Sequence, residues 1–376
     1  MWWLWNLTAE QKRRALLGSS LLLIAGALYL LTDTKSCCAG DADIPVTGHA
    51  PMMKDALYER AKEIVAPAGF INTGGEPVRI ADHVGKNVIL VDFLTYSCIN
   101  CVRVQPYLNA WHEKYADKGL MIIGIHTPEF EFEKDITNVE RAMRDMEVRY
   151  PIVLDNNYST WRAYQNSYWP RKYLIDIDGY IVYDHIGEGG YEETERKIQK
   201  LLMERTERLG ENQDISTDLA APAGVESVGD MFPRTPEIYF GAFRNSFYLA
   251  NGIGGETGLT NFVAPEKPEP NLLYLDGPWT IEQEYARGET GSSIKLRFVG
   301  KKVFMVASSE AGARMKVLLD GTSAGELRGS DVDANGTVRI QEEDLYRLIE
   351  GDTWGEHTLE LIIENGTLDA FTFTFG

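Results

Sequence analysis

Between residues 67 and 209 the chain alternates between short apolar runs and longer segments with apolar residues at helical spacing. "NVILVDFL" is apolar on both faces apart from Asp92, which predicts a buried strand, and "CVRVQPYLNAWHEKYADKG" then carries helical periodicity. "LMIIGIHT" predicts a second buried strand, "DITNVERAMRDMEV" a helix and "YPIVLD" a third strand. "KYLIDIDGYIVYDHIG" predicts a hairpin turning at Asp178-Gly179, and "YEETERKIQKLLMERTERL" a closing helix. Strands alternating with helices imply βαβ units around a central sheet.

The pattern changes on either side. Residues 210–236 are small, acidic and proline-bearing, the composition of a linker. From residue 237 to 376, short alternating runs such as "SIKLRFVG", "KVFMVASS", "MKVLLDG" and "LDAFTFTFG" are separated by Gly, Asp and Asn. Such spacing predicts an all-β sandwich of jelly-roll type. Residues 34–66 form a polar tether with one amphipathic patch, "KDALYERAKEIV".

Residues 1–33 predict a cytoplasmic stub and a membrane anchor. The uncharged stretch from Ala15 to Thr32 meets the roughly 17–25 residues that a spanning helix needs. Lys12, Arg13 and Arg14 precede it, so the N-terminus stays cytoplasmic and the rest is exported. The rival is a cleaved signal peptide, but a small-x-small cleavage site is lacking apart from Gly40-Asp41-Ala42. Cys37 and Cys38 follow the span and are assigned no role.

A formal net charge of −19 argues against nucleic-acid binding and against electrostatic adhesion to anionic lipid. Four cysteines in 376 residues do not make a disulfide scaffold, so any cysteine chemistry is local. It centres on "TYSCINC". Cys98 falls at the start of the helix after the first buried strand, where unpaired backbone N–H groups and the helix dipole favour thiolate. That makes Cys98 the nucleophile and Cys101, one turn on, the resolving thiol. Asp92, a carboxylate inside an apolar strand, is costly unless used, and can exchange a proton with the resolving thiol. Pro106 should kink the helix. A zinc site would need about four ligands, and no second C-x-x-C accompanies the six scattered histidines. A structural disulfide over so short a loop would stabilise little.

"GEPVRIADHVGKNVILVDFLTYSCINC" resembles the thioredoxin-like redoxins of the TlpA and ResA type. The stretch on to "YWPRKYLIDIDG" is similar to the exported thioredoxin domain of DipZ-type cytochrome c biogenesis proteins. "LDGPWTIEQEYA" and "GEHTLELIIENGTLDAFTFTFG" resemble that family's carbohydrate-binding-module-like domain. The resemblance implies a cis-proline at Pro170, presenting the backbone of Trp169 to a substrate chain. Glu129, in "HTPEF" at the carboxyl end of the second strand, is either a second proton carrier at the substrate site or a solvated loop acid. DipZ-type proteins carry a multi-span electron-delivering domain where this chain has one segment. A separate transmembrane electron donor would therefore be required.

In the second domain "DVDANGTVRIQE" fits a calcium loop. Asp331, Asp333, Asn335, Thr337 and Glu342 would be the ligands, with Gly336 at the sharp turn and "EEDLYRLIE" as the following helix. The alternative is a β-turn at Asn335-Gly336. The aromatics Tyr239, Phe240, Tyr248, Trp279, Tyr285 and Trp354 fit a sandwich core better than a sugar platform, so glycan binding rests on the resemblance.

The expected protein is a single-pass bacterial membrane protein with an extracytoplasmic thiol–disulfide oxidoreductase domain that needs no cofactor for its redox pair. Its expected substrates are disulfides of exported proteins, with apocytochrome c as one candidate. The alternatives are a thiol peroxidase, which would want a lone peroxidatic cysteine preceded by Thr, and a cell-surface binding module whose thiols are secondary.

Overall fold

A computed structural model describes residues 51–223, 225 and 235–376. The expected anchor, Cys37 and Cys38 lie outside the described residues, and no described helix is long and apolar enough to cross a membrane.

The first domain is built on a seven-stranded sheet. Its strands are β1 (Glu59–Arg60), β2 (Gly69–Ile71), β3 (Val88–Leu94), β4 (Leu120–His126), β5 (Ile152–Leu154), β6 (Arg171–Ile175) and β7 (Tyr180–Ile186), in the order β1-β7-β6-β3-β4-β5-β2. β3, β4 and β5 run parallel, and β6 returns antiparallel beside β3. The helices are α1 (Pro51–Leu57), α2 (Ile99–Tyr115), α3 (Ile136–Asp145), α4 (Ser159–Ala163) and α5 (Tyr191–Leu209). Every residue of β3 is buried, as a strand covered on both faces must be. Alternation divides it: Leu90 and Leu94 meet Val104, Leu108 and Trp111 of α2 and Leu202 of α5. Ile89, Val91 and Phe93 point the other way, against Tyr164 and Tyr173. The sheet therefore fixes where β3 ends, and four residues separate it from the start of α2.

The second domain is one antiparallel ten-stranded sheet around a single apolar core. Its strands are β8 (Ile238–Tyr239), β9 (Gly258–Phe262), β10 (Leu273–Ile281), β11 (Ala286–Glu289), β12 (Ser293–Ser308), β13 (Ala313–Leu319), β14 (Thr322–Ser323), β15 (Thr337–Ile340), β16 (Asp344–Asn365) and β17 (Thr367–Phe375). The first part of β12 pairs with β10 and the last part with β17, so one long strand bends the sheet around its core. Trp279 and Phe240 are wholly buried in this core.

The helix expected over "EEDLYRLIE" is a correction: from Asp344 onward these residues open β16. Val303 pairs with Ile349 and Phe304 with Arg347, leaving Leu348 as an extra residue at a bulge. Leu345, Leu348 and Ile349 are all buried. A bulge can turn two successive side chains inward, and the result imitates the i, i+3, i+4 spacing of a helix.

The two sheets meet at the head of α2. Ile99 and Phe130 of the first domain share an apolar cluster with Phe304, Val306, Leu345 and Phe371 of the second.

Candidate functional site

Cys98 caps the N-terminus of α2 with extended backbone (φ −79°, ψ 115°), and its carbonyl accepts the first helical bond from Val102 N at 3.0 Å. Its side chain makes no capping bond and stays partly exposed, while Cys101 is buried. Both are free thiols. Burial and the adjacent Cys98 push the Cys101 thiol well above its usual range, and a backbone hydrogen bond from Thr95 pulls the other way. The exposed sulfur is thus the accessible one, and the inner thiol needs help to ionise. Pro106 sits inside α2, which continues through it to Tyr115.

Asp92 is buried behind the pair, and its Oδ1 has no hydrogen-bond partner. Loss of water pushes its carboxyl up to about 7, even though Lys172 opposes the shift. Lys172 lies directly across from Asp92 in the β3–β6 ladder and is itself fully buried. Burial lowers the ammonium's pKa, while Asp92 and then Cys101 push it back up. Its Nζ donates to Gly187 O at 3.2 Å. Sequence reasoning passed over Lys172, since the Asp92–Lys172 pairing depends on a strand register that one sequence does not disclose.

The Trp169–Pro170 bond is cis. The Trp169 indole donates to Thr127 O at 3.1 Å and packs against Trp161, with ring centroids 4.3 Å apart. Trp169 and Cys98 both pack on the same apolar cluster.

Glu129 is not a solvated loop acid: its side chain is largely buried. Its carboxylate accepts from Arg244 at 2.6 Å and from Tyr239 at 2.9 Å, both on the second domain. The acid that reaches the thiol loop is Glu133, fully buried four residues on. It accepts from Ser97 Oγ at 2.6 Å and from the amides of Ser97 and Phe130. It therefore braces the residue before Cys98. An acid among Phe130 and Phe132 in "EFEFEKD" was the available signal.

The calcium-loop residues do not gather. Asp333 accepts from the amides of its own turn, Asn335 and Thr337, at 2.8 and 2.9 Å. Asp331 bonds the Arg347 amide at 2.7 Å, and Glu342 pairs with Arg141 of the first domain. The Asn335 carbonyl accepts from Lys316 Nζ, Gly336 takes φ 73°, and Thr337 begins β15. The segment is a turn between strands, and its donors do not fit calcium. No group of three or more His, Cys, Asp or Glu able to hold a metal occurs among the described residues.

A thiol pair at a helix start, a cis-proline whose preceding Trp169 packs on the same cluster as Cys98, and a buried acid that interacts with Cys101 together fit a thioredoxin-like redoxin. Residues 59–202 match the redoxin family model, and residues 235–376 match one described as a thioredoxin-like C-terminal domain. Thiol-disulfide oxidoreductase ResA of Bacillus cereus is 30% identical over 127 residues, covering 34% of this chain and 70% of ResA. The chain belongs to that family of thioredoxin-like thiol–disulfide oxidoreductases. YkuV of Bacillus subtilis, another thiol-disulfide oxidoreductase, is 26% identical over 39% of the chain and 97% of YkuV. DipZ of Mycobacterium bovis is 33% identical over 348 residues, which are 91% of this chain but 45% of DipZ. The similarity to DipZ thus spans both domains, and the chain spans under half of DipZ's length.

Proposed function

We propose that the protein reduces disulfides of exported polypeptides, held to the outer face of a bacterial membrane by its N-terminal segment. The observation that carries this reading is the asymmetry of the pair: Cys98 partly exposed at a helix start, Cys101 buried near an acid whose pKa lies near neutrality. In the reaction, the Cys98 thiolate attacks one substrate sulfur, forming a mixed disulfide and releasing the other as thiolate. Asp92 then takes the Cys101 proton, and the Cys101 thiolate attacks Cys98 Sγ, freeing the second substrate thiolate. Two electrons pass to the substrate, and the Cys98–Cys101 disulfide remains. A carboxyl near 7 is suited to taking that proton at neutral pH. A separate transmembrane donor returns the electrons. The resemblance to cytochrome c biogenesis proteins makes apocytochrome c a candidate substrate.

Replacing the resolving thiol tests the assignment. Cys101→Ser should accumulate Cys98-linked mixed disulfides with exported proteins, visible on non-reducing gels. Trapping by Cys98→Ser in place of Cys101→Ser would reverse the two roles, and trapping by neither would remove the reaction.

A further inference from the structure

The second domain does more than lie beside the first. A cavity of about 280 Å³ opens between them, lined by Trp169, Glu129 and Tyr158 on one side and Tyr239, Phe243, Arg244 and Gln283 among others on the other. Two of its walls are tied to the thiol site. Trp169 immediately precedes the cis-proline. Tyr239 packs on the apolar cluster that buries Ile99, the residue after Cys98.

The Arg244 and Glu129 charges in the cavity pair with each other at 2.6 Å, and Arg244 lies over the Tyr239 ring at 3.7 Å. The third charged group of the lining, Glu284, accepts from the Glu131 amide at 2.9 Å. Exposed apolar surface accompanies them. Phe243, on the rim, is 70% exposed, and Phe247 nearby in the same loop is 87% exposed. Aromatic side chains left in water around a small concave site indicate a surface that another apolar group covers. The cavity has room for one large side chain rather than a whole cofactor.

We propose that this cavity is a specificity pocket for an aromatic or large aliphatic residue next to the substrate cysteine, with its outer wall supplied by the second domain. The proposal rests on the oxidoreductase reading above. It commits the occupant to an unfolded polypeptide, whose apolar residues are exposed before folding, and it gives the second domain a part in substrate choice.

The test uses the full chain in detergent, reduced beforehand, with glutathionylated peptides whose cysteine is flanked by Phe, Leu or Gly. For the wild type, the second-order rate constant of the single turnover should favour the Phe peptide over the Gly peptide by about tenfold or more, the usual scale for an apolar group filling a pocket. The preference should lie mainly in the peptide concentration that half-saturates the rate. Phe243→Ala removes the rim, and Gln283→Trp fills the cavity from another wall. Each should bring the Phe-to-Gly ratio close to 1. A wild-type ratio near 1, or an unchanged ratio in both variants, overturns the pocket. A wild type that turns over no peptide overturns the oxidoreductase reading and the pocket together, whereas turnover without preference overturns the pocket alone.

Discussion

At the scale of single residues, the site depends on what burial does to Asp92. Its folded pKa of about 7 lies above the roughly 3.9 of an exposed carboxyl. Between those values the folded state holds a proton that the unfolded state has released. The stabilising effect of that retained proton is therefore complete below about pH 4 and is lost as pH rises through 7. Asp92→Asn removes this titration. The unfolding free energy of the variant relative to wild type should rise between pH 4 and pH 8, by on the order of 3 kcal/mol. The same variant should slow release of the Cys101-resolved product most above pH 7, where the wild-type carboxylate is ionised. Denaturant melts and single-turnover rates across this pH range check both; a pH-independent difference would contradict the buried titrating acid. His126 offers a contrast: burial pushes its imidazole down to about 3, so it stays neutral throughout this range.

Cys98, Cys101 and Asp92 stand out in the sequence because they share one short ordered motif, and Pro170 through the family resemblance; the structure makes the Trp169–Pro170 bond cis and buries Asp92 and Cys101. It missed Lys172 and Glu133 because their work is set by cross-strand register and by a loop folding back on Ser97. It singled out Glu129, which binds across the domain boundary instead. No local pattern announces a partner more than a hundred residues away.

At the scale of elements, the strands and helices of the first domain were legible because burial on both faces leaves an unmistakable apolar run in β3 and β4. β16 was not, since its bulge at Leu348 copies a helical period. The same strand supplies Leu345 to the cluster that covers the head of α2, together with Phe304 of β12. This interface should be strong. Phe304 is 2% exposed, and truncating a buried Phe costs about 3–5 kcal/mol. Phe304→Ala should therefore lower stability by about 3 kcal/mol and raise amide exchange in the first turn of α2. A loss below about 1 kcal/mol with unchanged exchange would mean that the second domain does not brace the thiol helix.

At the scale of the whole molecule, the two domains share an apolar cluster and ion pairs. The first domain places the thiols, and the second closes over Ile99 and ties down Glu129 and Arg141. The proposed reaction passes two electrons from the Cys98–Cys101 pair to a substrate disulfide, so the direction of electron flow is the central claim. The reduction potential of the Cys98–Cys101 pair, in the full chain equilibrated against dithiothreitol or glutathione buffers, tests it most directly. A value near thioredoxin's, roughly −270 mV, is the result this account predicts. A value near roughly −120 mV would mark an oxidant that makes disulfides, and would contradict the reductase.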